Sequence, residues 1–170
     1  MKTKRVVVVP YDPKWEEHFR QIAEELKQLL GDLTLAVEHV GSTSVPGLAA
    51  KPIIDMDVVI QDYSVFSQVV QLLESGGYYY EGDLGIAGRE AFAYTGKEHL
   101  QKHHLYVCPS DSKELRRHLT FRDYLRLHPK AAAEYGRIKI NAARQFPDSI
   151  EDYLRKKGPF IEEIYRQCGL

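Results

Sequence analysis

Val37-Glu38-His39-Val40-Gly41-Ser42-Thr43-Ser44-Val45-Pro46-Gly47-Leu48-Ala49-Ala50-Lys51-Pro52-Ile53-Ile54-Asp55-Met56-Asp57-Val58-Val59-Ile60 is the stretch around which the chain is organised. It reads as strand, small-residue turn, short bridge and second strand. Side chains two apart on a strand share a face, so Asp55 and Asp57 point one way and Ile54, Met56 and Val58 the other. Two carboxylates side by side repel each other and resist desolvation. A cation between them relieves both costs, and oxygen ligands of this kind suit Mg²⁺ or Mn²⁺, ions that commonly also hold substrate phosphates. Gly41 lets a backbone or a phosphate come close. Ser42, Thr43 and Ser44 supply hydroxyl and amide donors for phosphate oxygens. Lys51, beside the rigid Pro52, is placed to neutralise phosphate charge. The competing reading is structural: acids that reach solvent at a strand's end, a solvated lysine and a hydrogen-bonded His39.

The run His39 to Val58 closely resembles the GrpB family, a branch of the nucleotidyltransferase superfamily. The resemblance begins at Val9-Pro10-Tyr11-Asp12-Pro13-Lys14-Trp15, resumes at Phe121-Arg122-Asp123-Tyr124-Leu125-Arg126 and covers nearly the whole chain. It implies an α+β fold, with a nucleotidyltransferase-like mixed sheet flanked by helices and a helical C-terminal part. Asp55 and Asp57 then become the catalytic and metal-holding acids, with His104 as a further metal ligand. Gly41, Ser42, Thr43, Ser44, Lys51, Arg89 and Arg122 become the nucleotide contacts. Arg89 matches an arginine often seen at that point in the family, and Arg122, Lys139 and Lys157 match positions where a basic residue recurs. His118 and Arg122 lie four apart on one helix face and can reach toward phosphates; the alternative for Arg122 is an ion pair with an acid of the chain. One departure stands out. The family tends to show H-L-H-V where this chain has His104-Leu105-Tyr106-Val107, and no acid lies in that strand. The third carboxylate of a two-metal arrangement is therefore missing, unless Glu90 supplies it from a neighbouring strand.

The expected activity is metal-dependent transfer of a nucleoside monophosphate from a nucleoside triphosphate to an acceptor that no motif identifies. The alternative is a non-catalytic protein that binds a nucleotide or another phosphorylated metabolite. Relatives fused to dephospho-coenzyme A kinase imply a link to coenzyme A metabolism.

The 170 residues are enough for one domain with a sizeable core, and 44% hydrophobic with 28% charged residues is an ordinary globular composition. A net charge of −1 argues against a general nucleic-acid binder. The charge is uneven: residues 1–110 hold 10 basic and 15 acidic side chains, residues 111–170 hold 13 and 9. A basic C-terminal part facing an acidic, metal-holding part suits a phosphorylated substrate. Cys108 and Cys168 form no C-x-x-C pair, Val6 to Val9 is too short for a secretory signal, and no stretch reaches the ~20 apolar residues of a membrane helix. These features lead us to expect a cytoplasmic protein with no membrane partner.

Along the chain, Arg5–Pro10 reads as a short strand or extended lead-in, and Asp12-Pro13 as a helix start running to Gly31. Strands are expected over 33–40, from Tyr78, over 91–95 and over 103–108, with a helix over 63–75. Glu81–Gly88 reads as a glycine-rich loop and Gly96–Lys102 as a hairpin connection. Three helices follow: one capped by Ser110 or Asp111 and running to about His128, one opened by Pro129, and one opened by Asp148-Ser149-Ile150-Glu151 and interrupted near Gly158-Pro159. One domain over 1–170 is expected, with an α/β core to about residue 110 and a helical subdomain beyond it.

Overall fold

Trp15, Ile22, Ala23, Leu26 and Leu30 recur at helical spacing. In the computed structural model, which describes residues 5–170, they form the buried stripe of α1 (Lys14–Leu30). The first four residues of the expected domain lie outside the described residues. Asp12 closes the helix start: its carboxylate accepts from the Lys14 N–H at 2.9 Å and its carbonyl from the Trp15 N–H at 3.0 Å. In the lead-in before α1, Val9 bridges to Ala50 and the Val6 N–H donates to the Pro147 carbonyl at 2.8 Å.

The strands are β1 (Ala36–Val40), β2 (Ile54–Ile60), β3 (Tyr78–Gly82), β4 (Glu90–Tyr94) and β5 (His103–Pro109), with α2 (Phe66–Ser75) after β2. They form one mixed sheet in the order β1-β2-β5-β4-β3. β1 pairs antiparallel with β2, β4 antiparallel with β5, and β2 parallel with β5. A parallel pair needs a long crossover, which α2 and the β3–β4 hairpin supply. Ile54, Met56, Val58 and Ile60 are fully buried against α1 and α2, joined by Val69, Leu73, Phe92, Leu105 and Val107. That layer is the main core. It forces the alternate residues, Asp55 and Asp57, onto the opposite face of the sheet.

That opposite face is roofed by α3 (Lys113–Leu127), α4 (Pro129–Gln145) and α5 (Ile150–Gln167). Phe121, Leu125, Tyr135 and Ile164 enclose Val45 and Leu48 of the segment between β1 and β2. Leu115 closes on Val59 and Cys108 at the far end. The roof does not seal over Asp55, and a cleft remains.

Several expected boundaries move. β1 starts at Ala36 rather than Leu33, which ends a 3-10 turn, and β3 takes in Glu81 and Gly82 of the expected glycine-rich loop. Ser112, rather than Ser110 or Asp111, caps α3, its Oγ accepting from the Leu115 N–H at 3.2 Å. Ser149 caps α5 through the Asp152 N–H, so the box sits one residue later than expected. α5 also runs unbroken through Gly158-Pro159. An interior proline costs about 3 kcal/mol. Here packing just beyond it offsets that cost: Phe160 stacks on Tyr135 at 5.0 Å, and Ile161 and Ile164 join the same cluster.

Candidate functional site

The cleft has a volume of about 440 Å³ and lies between the sheet face that carries the acids and the C-terminal helices. Gly41, Ser42, Thr43, Lys51, Asp55, Arg89, His104, Tyr106, His118, Lys139, Tyr153 and Lys157 all line it.

Strand register builds its floor. Asp55 lies opposite Val40 of β1 and His104 of β5, and Asp57 lies opposite Glu38 and Tyr106. Gly41 follows Val40 at φ 73°, ψ −175°, a region open only to glycine. A Cβ at that position would stand 2.5 Å from Asp55 Oδ2, so the missing side chain is what lets the carboxylate lie against the turn. Thr43 and Ser44 are buried and spent on the turn itself. Thr43 Oγ1 shares a hydrogen bond with His39 Nε2 at 2.9 Å, and Ser44 Oγ donates to the Gly41 carbonyl. Gly41 and Ser42 are left to meet a ligand. His39 points to the opposite face and stacks on Phe19 at 4.6 Å. Burial, opposed by Asp55 and aided by Arg126 and Arg122, lowers its pKa to about 4 and keeps it neutral.

Both carboxylates are held by histidines. His104 Nδ1–H donates to Asp55 Oδ1 at 2.9 Å, and His118 Nδ1–H, from α3, to Asp57 Oδ2 at 2.6 Å. Asp55 keeps 34% of its side chain exposed to the cleft and Asp57 none. Burial pushes the Asp55 pKa up, but the His104 hydrogen bond and the His104, Lys157 and Lys51 charges outweigh it, and the net direction is down. For Asp57 burial prevails over His118, and the pKa is raised. His118 is raised too: burial lowers it, but the bond to Asp57 and the charges of Asp57 and Glu114 win.

The donor set fits a hard divalent cation. Asp57 Oδ1 is buried with no hydrogen-bond partner, and the Asp55 carboxylate faces the cleft from the same side of the strand. A buried acceptor without a donor is costly, and a cation would satisfy it. Among the described residues no group of three protein ligands is assembled. His104 turns its Nδ1 toward Asp55 and so orients that carboxylate. Glu90 does not complete the set. It lies opposite Val107 in the register, on the core face of the sheet, and its Oε1 is 3.5 Å from the Tyr63 hydroxyl.

Arg122 is likewise placed elsewhere. Its guanidinium donates to Glu38 at 2.7 Å, Asp123 at 2.9 Å and the His39 carbonyl at 3.2 Å, and it does not line the cleft. Glu38 faces α3 because it shares the sheet face of Asp57. The arginine therefore ties α3 to β1 beneath the turn and leaves no free fork for phosphate.

Of the basic residues named from the sequence, Lys51, from the segment between β1 and β2, and Lys139 and Lys157, from the roof, come together in the cleft. Lys51 and Lys157 lie 5.5 and 5.1 Å from the centre of the Tyr153 ring, and Lys139 lies 4.7 Å from that of Tyr135. Among the described residues none of the three makes a salt bridge, and Lys139, 1% exposed, has no hydrogen-bond partner for its Nζ. Burial, and then neighbouring lysine charge, lowers Lys139 well below the usual lysine value. Lys157 is lowered to about 8 by burial and Lys51, with Asp55 opposing. A signal for both was present. Ala132, Tyr135, Gly136, Lys139 and Ala142 form one helical stripe, and Tyr153, Lys157, Phe160 and Ile164 another, so each lysine interrupts an apolar face.

Two expectations follow. Lys139→Met removes a cation whose folded pKa is depressed. At neutral pH the unfolded chain binds that proton more readily, so the native lysine costs stability. The variant should melt roughly 2–4 °C higher, for a gain on the order of 1 kcal/mol, while binding triphosphate more weakly. The second concerns pH. Lys157 faces Lys51, Asp55 and Lys139 across the cleft and loses its charge as pH rises through about 8. Triphosphate affinity should fall above that pH, and binding near it should take up protons. Calorimetry in two buffers of different ionisation enthalpy reads that uptake directly.

Comparison with known proteins places these residues in a wider group. The family model for the GrpB protein matches residues 5–167. The chain is 40% identical to the UPF0157 protein YqkA of Bacillus subtilis, over 94% of this chain but 46% of that protein. It is 32% identical to the glutamate-rich protein GrpB of Alkalihalophilus pseudofirmus over 95% of both chains. A dephospho-CoA kinase of Mycolicibacterium paratuberculosis is 27% identical, and there too the chain spans 46% of the relative's length. Among solved structures, the crystal structure of conserved protein GrpB from Enterococcus faecalis superposes with a TM-score of 0.84 at 40% identity, over 95% of this chain and 96% of that one. Cid1, solved in complex with its short product ApU, superposes with a TM-score of 0.55 at 17% identity, over 81% of this chain and 43% of that one. That second likeness is one of fold. No helix among the described residues is long and apolar enough to cross a membrane.

Proposed function

The chain belongs to the GrpB family, and from the geometry of its cleft we propose that it is a metal-dependent nucleotidyltransferase. It moves a nucleoside monophosphate from a nucleoside triphosphate to a hydroxyl group of an acceptor. One observation carries this reading: among the described residues three lysines without salt bridges, Lys51, Lys139 and Lys157, line one cleft with the histidine-held Asp55, and Asp57, histidine-held on the same strand face but buried outside the cleft lining, keeps an oxygen without a partner. Unneutralised cations beside an unsatisfied acid fit a ligand that brings both phosphate and metal.

In this reading the backbone at Gly41 and Ser42 cradles the triphosphate, and the lysines neutralise the phosphates that depart. The acceptor oxygen bonds to the α-phosphorus, the bridge between the α- and β-phosphates breaks, pyrophosphate leaves and the hydroxyl proton passes to solvent. Asp55 and Asp57 would hold a divalent cation, which when bound would supply positive charge against the negative charge developing on the phosphate oxygens. His104 and His118 act as positioning residues, each fixing one carboxylate. Catalysis is then positioning and preorganised electrostatics within a partly desolvated site.

A second reading, binding without turnover, is favoured by Tyr106, which occupies the place opposite Asp57 where a third carboxylate would complete a two-metal site. Its ligand is a nucleotide or another phosphorylated metabolite, and the resemblance to dephospho-CoA kinases supports one from coenzyme A metabolism. Pyrophosphate release separates the two readings. With Mg²⁺, each of the four common nucleoside triphosphates and a panel of hydroxyl compounds, transfer predicts release that depends on the acceptor. Tight nucleotide binding with no release under any metal would support the second reading.

A further inference from the structure

Arg89, expected from the sequence as a nucleotide contact, lines the cleft but is given no role by the reading above. It immediately precedes β4, and its guanidinium lies 4.3 Å from the centre of the Tyr106 ring on β5. Its Nε is buried with no hydrogen-bond partner, and among the described residues it makes no salt bridge. Gly88, at φ 80°, has its carbonyl bonded by Ser112 Oγ at 2.8 Å, and a Cβ there would stand 2.9 Å from that oxygen. The residue before Arg89 is thus clamped to the cap of α3, the helix that also brings His118 to Asp57.

Sheet order fixes where Arg89 stands. The Gly41–Ser42 turn leaves β1, on one side of the acids of β2, while Tyr106 and then Arg89 lie on the other side, toward β5 and β4. Two strand spacings separate β2 from β4, about 10 Å. In a displacement at the α-phosphorus the entering and departing oxygens lie roughly in line on opposite sides. If the turn and the lysines hold the departing phosphates, the acceptor enters from the side of Tyr106 and Arg89.

The geometry points to Arg89 and Tyr106 as an acceptor subsite for a small molecule that carries an anionic group, phosphate or carboxylate, besides the hydroxyl that reacts. This inference rests on the transferase reading above. An anionic acceptor approaching Asp57 alone would be repelled. A guanidinium held over a tyrosine ring reverses that local field, and its planar fork of donors suits either oxyanion. The orphaned Nε shows that the protein itself leaves this guanidinium incompletely paired.

The test uses the full chain with Mg²⁺ and the non-transferable α,β-methylene analogue of whichever nucleoside triphosphate binds most tightly. Glycerol 3-phosphate, glycerate and glycerol are then titrated as probes into wild type, Arg89→Met, Arg89→Lys and Lys157→Met, after melting curves show each variant folded. Wild type should bind one of the two anions at least ten-fold more tightly than glycerol, and which anion wins distinguishes phosphate from carboxylate. Arg89→Met should abolish that preference and Arg89→Lys retain part of it, while both hold the analogue within three-fold of wild type. Lys157→Met should do the reverse. The subsite is overturned if wild type shows no anion preference, if the preference survives Arg89→Met, or if Arg89→Met weakens the analogue as Lys157→Met does. If no analogue binds, the transferase reading fails by itself. The probes titrated into the unloaded protein then decide the subsite: anion binding that Arg89→Met removes sustains it, and binding it leaves unchanged overturns it.

Discussion

Asp55→Asn combined with Asp57→Asn is expected to lower turnover by roughly three orders of magnitude, about 4 kcal/mol of transition-state stabilisation, and to abolish the metal dependence of nucleotide binding. Both acids lie on the cleft side of β2, and asparagine keeps their shape while removing the charge that would hold a cation. The fold should survive. Asp57 is fully buried, and burial holds its carboxyl above the ordinary value of 3.8. An acid with a raised folded pKa loses stability as pH rises through its unfolded value, because the unfolded chain then gives up the proton more easily. At neutral pH that cost is present in the wild type and absent in the variant. Asp55, whose folded pKa is lowered, contributes the opposite sign, since its charge stabilises the fold at neutral pH and asparagine removes it, so the two changes offset and a melting temperature near that of wild type together with lost turnover is the expected signature. A variant that melts far lower would mean that the acids serve the fold.

Gly41→Ala should have the second-largest effect, through geometry alone. The backbone conformation at φ 73°, ψ −175° costs any other residue on the order of 1–3 kcal/mol. In a chain of this size each kcal/mol lowers the melting temperature by roughly 2–4 °C. The new Cβ would also stand 2.5 Å from Asp55 Oδ2, so either the turn or the carboxylate must shift. A shift of about 1 Å at a site that works by positioning can cost ~100-fold in rate. The variant should melt several degrees lower and lose most of its triphosphate affinity. Gly47, also at positive φ but with nothing near its Cβ position, provides the control: Gly47→Ala should lower stability without touching affinity.

The fold was legible wherever local pattern and burial agree. Alternation in Ile54-Asp55-Met56-Asp57-Val58 sets which residues face α1 and α2 and which face the cleft, and a one-residue slip would bury both acids in the main core. The stripe of α1 and the Gly41 turn were equally readable. What could not be read depends on residues far apart in sequence. Arg122 and Glu38 are 84 positions apart, and only the docking of α3 on β1 shows that this arginine is already paired. α5 continues through Pro159 because Phe160 finds Tyr135, a tertiary contact that no local rule contains. Lys139 and Lys157 had a local signal, a charge set within an apolar stripe, but a cation in such a stripe gains meaning only when the cleft it faces is known. Glu90 shows the reverse case: it is near the acids in strand order, yet register turns it to the other face.

Asp55 and Asp57 are proposed to hold a cation that binds with a nucleoside triphosphate between the Gly41 turn and the lysines. Calorimetric titration of each nucleoside triphosphate into the protein, with and without Mg²⁺, tests this proposal most directly when repeated on the Asp55→Asn/Asp57→Asn variant. At least one triphosphate should bind ten-fold or more tightly with Mg²⁺, and the variant should lose that metal dependence. Binding equally tight without metal, or a metal effect that the variant retains, would contradict the proposal.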